Sequence, residues 1–377
     1  MDYDKLALDL HKQYKGKITT RLRDTDELDK TKLSAYYTPG VAAVSKAIAD
    51  DPSKLAEYTW TNNLVAVISD GSAVLGLGNI GPRGSMPVME GKSLLFKHFA
   101  DVDSIPIILD VHSADEIVAT VKAIAPSFGA INLEDIAAPL CFEIEDRLKQ
   151  ELPIPVFHDD QHGTAVVTLA GLINAAKITK RDLATSKFVV VGAGAAGTAI
   201  AKLLNLYGVG QILAVDSKGV ISKSRTDLNQ AKKLLLEHVD GSVDGSLADA
   251  LSGADVFIGV SQPGLLTAEL VETMAKDPII FAMANPTPEI MPDVAKAAGV
   301  AVMATGRSDF PNQVNNAIAF PGIFRGALDN KVRTITDEHK LAAAHAIASL
   351  VKNPSAEEII PSVFDERLVP TIADVIR

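Results

Sequence analysis

Apolar runs of four or five residues recur along the first half of the chain: Leu64 to Ile68, Ile105 to Leu109, Ala130 to Leu133 and Ile154 to Phe157. Each closes on polar or glycine residues, the pattern of a buried strand. Helical patterns lie between or around them, at Gly91 to Phe99, Ala114 to Ala125 and Pro139 to Leu152. Such alternation predicts a largely parallel sheet. A helix over Thr164 to Ala176 leads into a second series of runs, Phe188 to Val191, Ile212 to Val215, Val256 to Val260, Ile279 to Met283 and Val300 to Met303. These predict a doubly wound sheet. Beyond Gly322 the pattern turns helical, with Lys340 to Val351 its best segment.

The expected fold is therefore α/β. An N-terminal α/β domain over 1–160 precedes a Rossmann-type domain over 161–330, and a helical tail over 331–377 packs back across both. Ahead of the first strand, Leu6, Leu8 and Leu10 sit among charges and suggest a short helix over 2–14, with an exposed side available for a subunit contact. Tyr36 to Gly40 is a turn signal, and Val41 to Ala49 reads as a helix with Pro39 near its first turn.

Composition narrows the function. At 377 residues, 47% hydrophobic and 22% charged, the chain exceeds one ordinary core and is too apolar to be disordered. A net charge of -11 without a basic tract argues against a nucleic-acid partner. Cys141, the single cysteine, reads as a small buried hydrophobe, and one cysteine fits a reducing compartment. The start MDYDKLALDL lacks the form of a secretory signal, and no run approaches ~18 apolar residues, so a cytoplasmic protein without a membrane partner is expected.

The segment FVVVGAGAAGTAIAKLLNLYG joins a strand to an alanine-rich helix through Gly192-Ala193-Gly194-Ala195-Ala196-Gly197. The first glycine permits a tight turn, the second lets backbone approach a pyrophosphate, and the third lets helix pack on strand. Asp216 ends the next strand, where a carboxylate can accept hydrogen bonds from an adenine ribose and repel a 2′-phosphate. NAD is thus the expected dinucleotide, with NADP left open by Ser217 and Lys218. A second glycine match, Gly76-x-Gly78-x-x-Gly81, has the wrong context: it stands eight residues beyond its strand, and Pro82, Gly84 and Pro87 occupy the place of a helix start. It reads as a loop whose backbone approaches substrate or cofactor from the far side of a cleft, or as a plain surface turn.

Glu134 and Asp135 follow one predicted strand, and Asp159 and Asp160 another. Ligands of open α/β sheets bind at such carboxyl ends, but neighbouring residues converge on one ion only where the strand breaks into a loop. A carboxylate set of this kind favours Mg²⁺ or Mn²⁺. His158 and His162 keep zinc or iron open, and the acids could equally be helix caps.

Together these motifs resemble the malic enzyme family over nearly the whole chain, in its short bacterial form. The resemblance rests on Tyr37-Thr38-Pro39-Gly40-Val41, SDGSAVLGLGNIG, PVMEGK, NLEDIAAP, FHDDQHGTA, VVVGAGAAG, FAMANPTPE and TGRSDFPNQVNNAIAFPG, in that order. It implies Tyr37 as general acid and Lys92 as general base, Glu134, Asp135 and Asp160 as metal ligands, and Asp159 as a neighbour tuning the site. Asn285 and Asn316 would meet substrate and nicotinamide. The implied reaction converts L-malate to pyruvate and CO2 through oxaloacetate, in a homodimer. For Lys92 to act as a base, its pKa must fall well below ~10.4. One departure is plain: Ser72-Ala73 stands where larger members carry an arginine for a substrate carboxylate, with Arg83 or the amides of Gly76 to Gly81 as replacements. Rival readings are a malolactic conversion to lactate, another two-domain dehydrogenase, and a dinucleotide sensor without catalysis.

Overall fold

In the computed structural model, which describes residues 3–74 and 76–377, four helices precede the first strand. They are α1 (Tyr3–Tyr14), α2 (Lys30–Tyr36), α3 (Val41–Asp50) and α4 (Leu55–Tyr58), and none has a buried residue. Their apolar side chains therefore contribute little to the core of this chain.

The first sheet holds β1 (Leu64–Ser69), β2 (Asp103–Ile108), β3 (Ala130–Leu133) and β4 (Val156–His158) in the parallel order β2-β1-β3-β4. All six residues of β1 are buried, as an unbroken apolar run requires of a strand covered on both faces. The crossovers are α5 (Gly81–Ala100), α6 (Ala114–Ile124) and α7 (Leu140–Glu151). Ser113 caps α6 by accepting from the Glu116 amide.

The structure corrects one expectation here: a helix does begin at Gly81 despite the prolines. Pro82 lies in the first turn, where its missing N–H would have no intrahelical acceptor, so α5 tolerates it. Pro87 forgoes only the bond to the carbonyl of Arg83, an exposed residue.

A 21-residue helix, α8 (Asp159–Thr179), links the sheets and is buried along nearly its whole length, which its composition of Ala, Val, Leu and Gly allows. The second sheet comprises β5 (Lys187–Val191), β6 (Gln211–Asp216), β7 (Gly219–Val220), β8 (Val256–Gly259), β9 (Ile279–Ala282) and β10 (Val302–Thr305). Its order is β10-β9-β8-β5-β6-β7, parallel except for β7, and α9 (Ala195–Tyr207) follows β5. The order reverses at β5, the switch point where such sheets bind ligands.

The tail folds back as expected. Helices Phe320–Asp329, Asp337–Leu350 and Leu368–Ala373 share one core with Val65 and Phe96 of the first sheet layer and Val190 and Phe281 of the second. Phe96 meets Phe320 edge-on at 4.7 Å, and Asn174 of α8 donates to the carbonyls of Ala348 and Ile359. Both sheets are thus anchored to one apolar mass, which sets the cleft between them. Among the described residues, no helix is long and apolar enough to cross a membrane. Cys141 is fully buried among apolar side chains, as expected.

Candidate active site between the two sheets

The acids converge. Ligand atoms of Glu134, Asp135 and Asp160 lie within 4.8 Å of one another. β3 ends at Leu133, and Asp135 turns the chain with φ +54°, a left-handed conformation that Asp tolerates better than most residues. That turn is what lets two consecutive acids face one place. The Asp135 amide then donates to Asp160 Oδ2 at 2.8 Å, tying the two strand ends together.

Asp159 and Asp160 are not in a loop, as expected, but form the first turn of α8. Successive helical residues diverge by about 100°. Asp159 accordingly meets Lys92, while Asp160 joins the other acids. The positive end of the helix dipole favours both carboxylates.

Lys92, reached from the middle of α5, is 7% exposed and paired with Asp159 at 2.6 Å and Glu134 at 2.8 Å. The Phe320 ring covers it at 4.4 Å. Burial alone would strip the ammonium of its proton, but Asp159, Glu134 and Asp160 outweigh it and raise the pKa above the ordinary lysine value. The lowered pKa that a resting base requires is therefore absent, and Lys92 stands as a buried cation. Burial likewise raises Glu134 and pushes Asp159 and Asp160 up to about 6. Three carboxylates act on one ammonium, and Asp135 adds a fourth beside Glu134 and Asp160. Such an excess of hard oxygen donors, with Asp159 Oδ1 buried and without a hydrogen-bond partner, fits a divalent cation on Glu134, Asp135 and Asp160.

Neither histidine shares the ligand cluster of the acids among the described residues, although His158 Nδ1 stands 3.9 Å from Asp160 Oδ2. His162 instead bonds Glu145 at 2.9 Å, and burial pushes its pKa down to about 3. Glu145 of α7 was missed by sequence reasoning, as was Asn132, whose amide holds Glu134 Oε2 at 2.9 Å. A signal existed for each. Glu145 falls on the apolar stripe of Cys141, Ile144 and Leu148, and Asn132 interrupts the strand Ala130–Leu133.

The dinucleotide turn has the expected form. Gly192 takes φ +111°, a methyl on Gly197 would strike the Gly192 carbonyl, and Gly194 faces open space where backbone can meet a pyrophosphate. Ala193 packs on the shared core and Ala195 on the core of the first sheet, so this turn borders the cleft. Ala196 follows in the first turn of α9. Asp216 is not a free ribose acceptor: Arg225 grips it at 2.8 and 3.1 Å, and Lys232 at 2.6 Å. Burial would raise its pKa, yet these donors bring it to about 2.

Of the second glycine match, Gly76 alone nears another element, since a methyl on Gly78 or Gly81 would meet nothing within 4 Å. A methyl on Gly76 would stand 3.4 Å from the carbonyl oxygen of Asn285, which follows β9 across the cleft. The partner is thus the opposing domain. Asn316 opens a short 3-10 turn against Gly163 of α8, beside Asp159. Where larger relatives would carry an arginine, Ser72 donates to Asp70 at 2.6 Å and accepts from the Ala137 amide at 2.9 Å, so it ties the loop to the acid turn. Arg83 is exposed.

Tyr37 is the exception. It is 68% exposed, and no hydrogen bond joins its hydroxyl to Lys92 or to any other described residue.

A glycine-turned, doubly wound sheet that faces a second sheet across an acid and lysine cleft defines a two-domain dinucleotide-dependent oxidoreductase. Residues 15–149 match the malic enzyme N-terminal domain, and residues 161–373 match the malic enzyme NAD-binding domain. The chain belongs to the malic enzyme family. It is 55% identical to the bifunctional malic/malolactic enzyme of Bacillus subtilis over 98% of this chain and 91% of that one. It is 56% identical to the NAD-dependent malic enzyme of Geobacillus stearothermophilus, over 96% and 74% respectively. The crystal structure of the NAD-dependent malic enzyme of Thermotoga maritima superposes with a TM-score of 0.95 at 49% identity, covering 98% of each chain.

Proposed function

We propose that the chain oxidatively decarboxylates L-malate to pyruvate and CO2 while reducing NAD or NADP, with Mg²⁺ or Mn²⁺ held by Glu134, Asp135 and Asp160. The observation that carries this reading is the carboxylate trio beside a buried lysine, facing a dinucleotide turn across one cleft. When bound there, the cation would polarise the substrate's C2 oxygen and offset the carboxylate charge that now keeps Lys92 protonated.

The residues supply the rest. Malate and oxidised cofactor give pyruvate, CO2 and reduced cofactor with no net proton, because the hydroxyl proton lost at C2 balances the proton gained at C3. Lys92 accepts the first and relays a proton to the second through Tyr37. Asp159, buried against Lys92, holds the ammonium in place between these steps. Asn285 and Asn316 orient the substrate carboxylates and the nicotinamide.

The name of the Bacillus relative supports a second outcome, in which the ketoacid is reduced to lactate before the cofactor leaves. One assay separates the two: malate with NAD or NADP and Mn²⁺, recording reduced cofactor, pyruvate and lactate. Pyruvate and reduced cofactor in equal amounts, abolished by EDTA and restored by Mn²⁺, support decarboxylation. Lactate without reduced cofactor supports the second outcome. Activity indifferent to EDTA, or none with malate, sinks the proposal.

A further inference from the structure

We propose that Glu289 supplies a fixed negative charge beneath the nicotinamide half of the dinucleotide, so that this chain holds the oxidised cofactor more firmly than the reduced one. The inference rests on the reading that the dinucleotide occupies the Gly192 turn.

Glu289 lies outside the acid cluster, in the loop that follows Asn285, and it is fully buried. Its Oε1 accepts from the Ser261 amide and its Oε2 from the Ala284 amide, each at 3.0 Å. Ser261 stands two residues beyond β8 and Ala284 two beyond β9, and the two strands are parallel neighbours. The carboxylate therefore bridges the carboxyl ends of both strands, the edge where such sheets bind ligands. Gly259, the last residue of β8, lies against it, and a methyl there would come within 2.4 Å of the carboxyl carbon. Only glycine leaves room for this acid.

The sheet order assigns what this edge meets. Gly192 follows β5, and Asp216 at the end of β6 marks the adenosine side. β8 and β9 lie on the other side of β5, so the nicotinamide half falls to the residues beyond them. Val260 borders the turn itself, since a methyl on Gly192 would stand 2.7 Å from its carbonyl oxygen. Ser261, which Glu289 holds, comes next in the chain, and Ala284 precedes Asn285. One carboxylate thus underlies the stretch from the pyrophosphate turn to Asn285.

Its charge is unmatched. Burial raises its pKa, and only hydrogen bonds from backbone amides oppose the shift. No lysine or arginine acts on it among the described residues, whereas the acids of the cleft share Lys92. With an amide N–H on each oxygen, the group is arranged as an anion. A buried anion without a cation is costly. An oxidised nicotinamide ring carries the missing positive charge, and the arriving hydride removes it. The ring is therefore held firmly before hydride transfer and loosely after it.

Direct binding tests this without turnover. The full chain is titrated with NADH by fluorescence, and NAD⁺ is measured by displacing it; NADPH and NADP⁺ serve where the phosphate form binds more tightly. At an effective dielectric of about 20, charges about 10 Å apart are worth roughly tenfold in an equilibrium constant. Glu289→Gln should therefore raise Kd for the oxidised form roughly tenfold more than Kd for the reduced form. Glu289→Asp keeps the charge and should hold the ratio of the two constants near that of wild type, even where both rise. Equal losses for both forms in Glu289→Gln mean that the carboxylate only braces the strand ends, which overturns the proposal. Should Glu289→Gln not fold, wild type decides: tighter binding of the oxidised form is expected, and tighter binding of the reduced form overturns the proposal. A wild-type chain that binds neither form refutes the dinucleotide reading itself, so the two failures are distinguishable.

Discussion

Glu145 offers the sharpest test of how the acid cluster is built. Its carboxylate, 3% exposed, accepts from the His158 amide at 3.1 Å, Gln161 Nε2 at 3.2 Å and His162 Nε2 at 2.9 Å, and pairs with Lys149 at 2.7 Å. Burial would raise its pKa, but His162 and Lys149 hold it well below the ordinary carboxylate value. Three of these four partners are buried, and they belong to the strand end and first helical turn that carry Asp159 and Asp160. Glu145→Ala leaves those donors without an acceptor at about 1 to 3 kcal/mol each, not fully additive. Lys149 adds less, because it can turn to water. The expected loss is about 3 to 5 kcal/mol, the range for breaking a buried charged network. Glu145→Gln keeps one acceptor oxygen and the side-chain volume, so about 1 to 2 kcal/mol is expected. Urea unfolding of the cofactor-free proteins measures both. A Glu145→Ala loss under about 1 kcal/mol, or a Gln variant worse than Ala, would refute the reasoning. Because the network positions the acid turn, Glu145→Gln should also raise the Mn²⁺ concentration needed for half-maximal activity more than it lowers kcat.

Other perturbations address separate parts of the structure. Asp216→Ser frees Arg225 and Lys232 to receive a 2′-phosphate, and two charge-assisted bonds of about 1.5 kcal/mol each should move the NADP to NAD ratio of kcat/KM upward by roughly 100-fold. A change under threefold contradicts that role. Gly163→Ala drives a methyl into Asp159 Oδ1 and should lower stability by about 1 to 3 kcal/mol while weakening turnover; thermal melts and initial rates check both. Asp337, held by Lys340 at 2.8 Å and Lys202 at 3.2 Å, has its pKa lowered to about 2, although burial opposes the shift. Its folded pKa lies below the unfolded value of about 3.9, so its contribution is complete above that pH and is lost as the pH falls toward 2. The gap in urea midpoint between wild type and Asp337→Asn should therefore hold constant above about pH 5 and shrink below pH 4. A gap that widens on acidification reverses the sign and rejects the assignment.

How much of this was legible in the chain depended on whether the signal was local. Strands β1, β3, β5 and β8 were readable because each is an apolar run buried on both faces, and the acids were readable because they follow such runs directly. The start of α5 was not, since proline rules weigh against a helix unless the prolines are known to occupy positions that need no donor. Asp216 was placed correctly at the end of β6, but its grip by Arg225 and Lys232 depends on a loop and a short helix that return nine and sixteen residues later. The most consequential gap concerned Lys92. Its position in a helix says nothing of charge, whereas Glu134, Asp159 and Asp160 arrive from two other strand ends 42 to 68 residues away. Protonation state is a property of that convergence. The same holds for Tyr37, whose motif marks it chemically while the folded chain leaves its ring exposed. Local pattern thus identifies the reactive groups, and the long-range pairing of strand ends decides which charge each one carries.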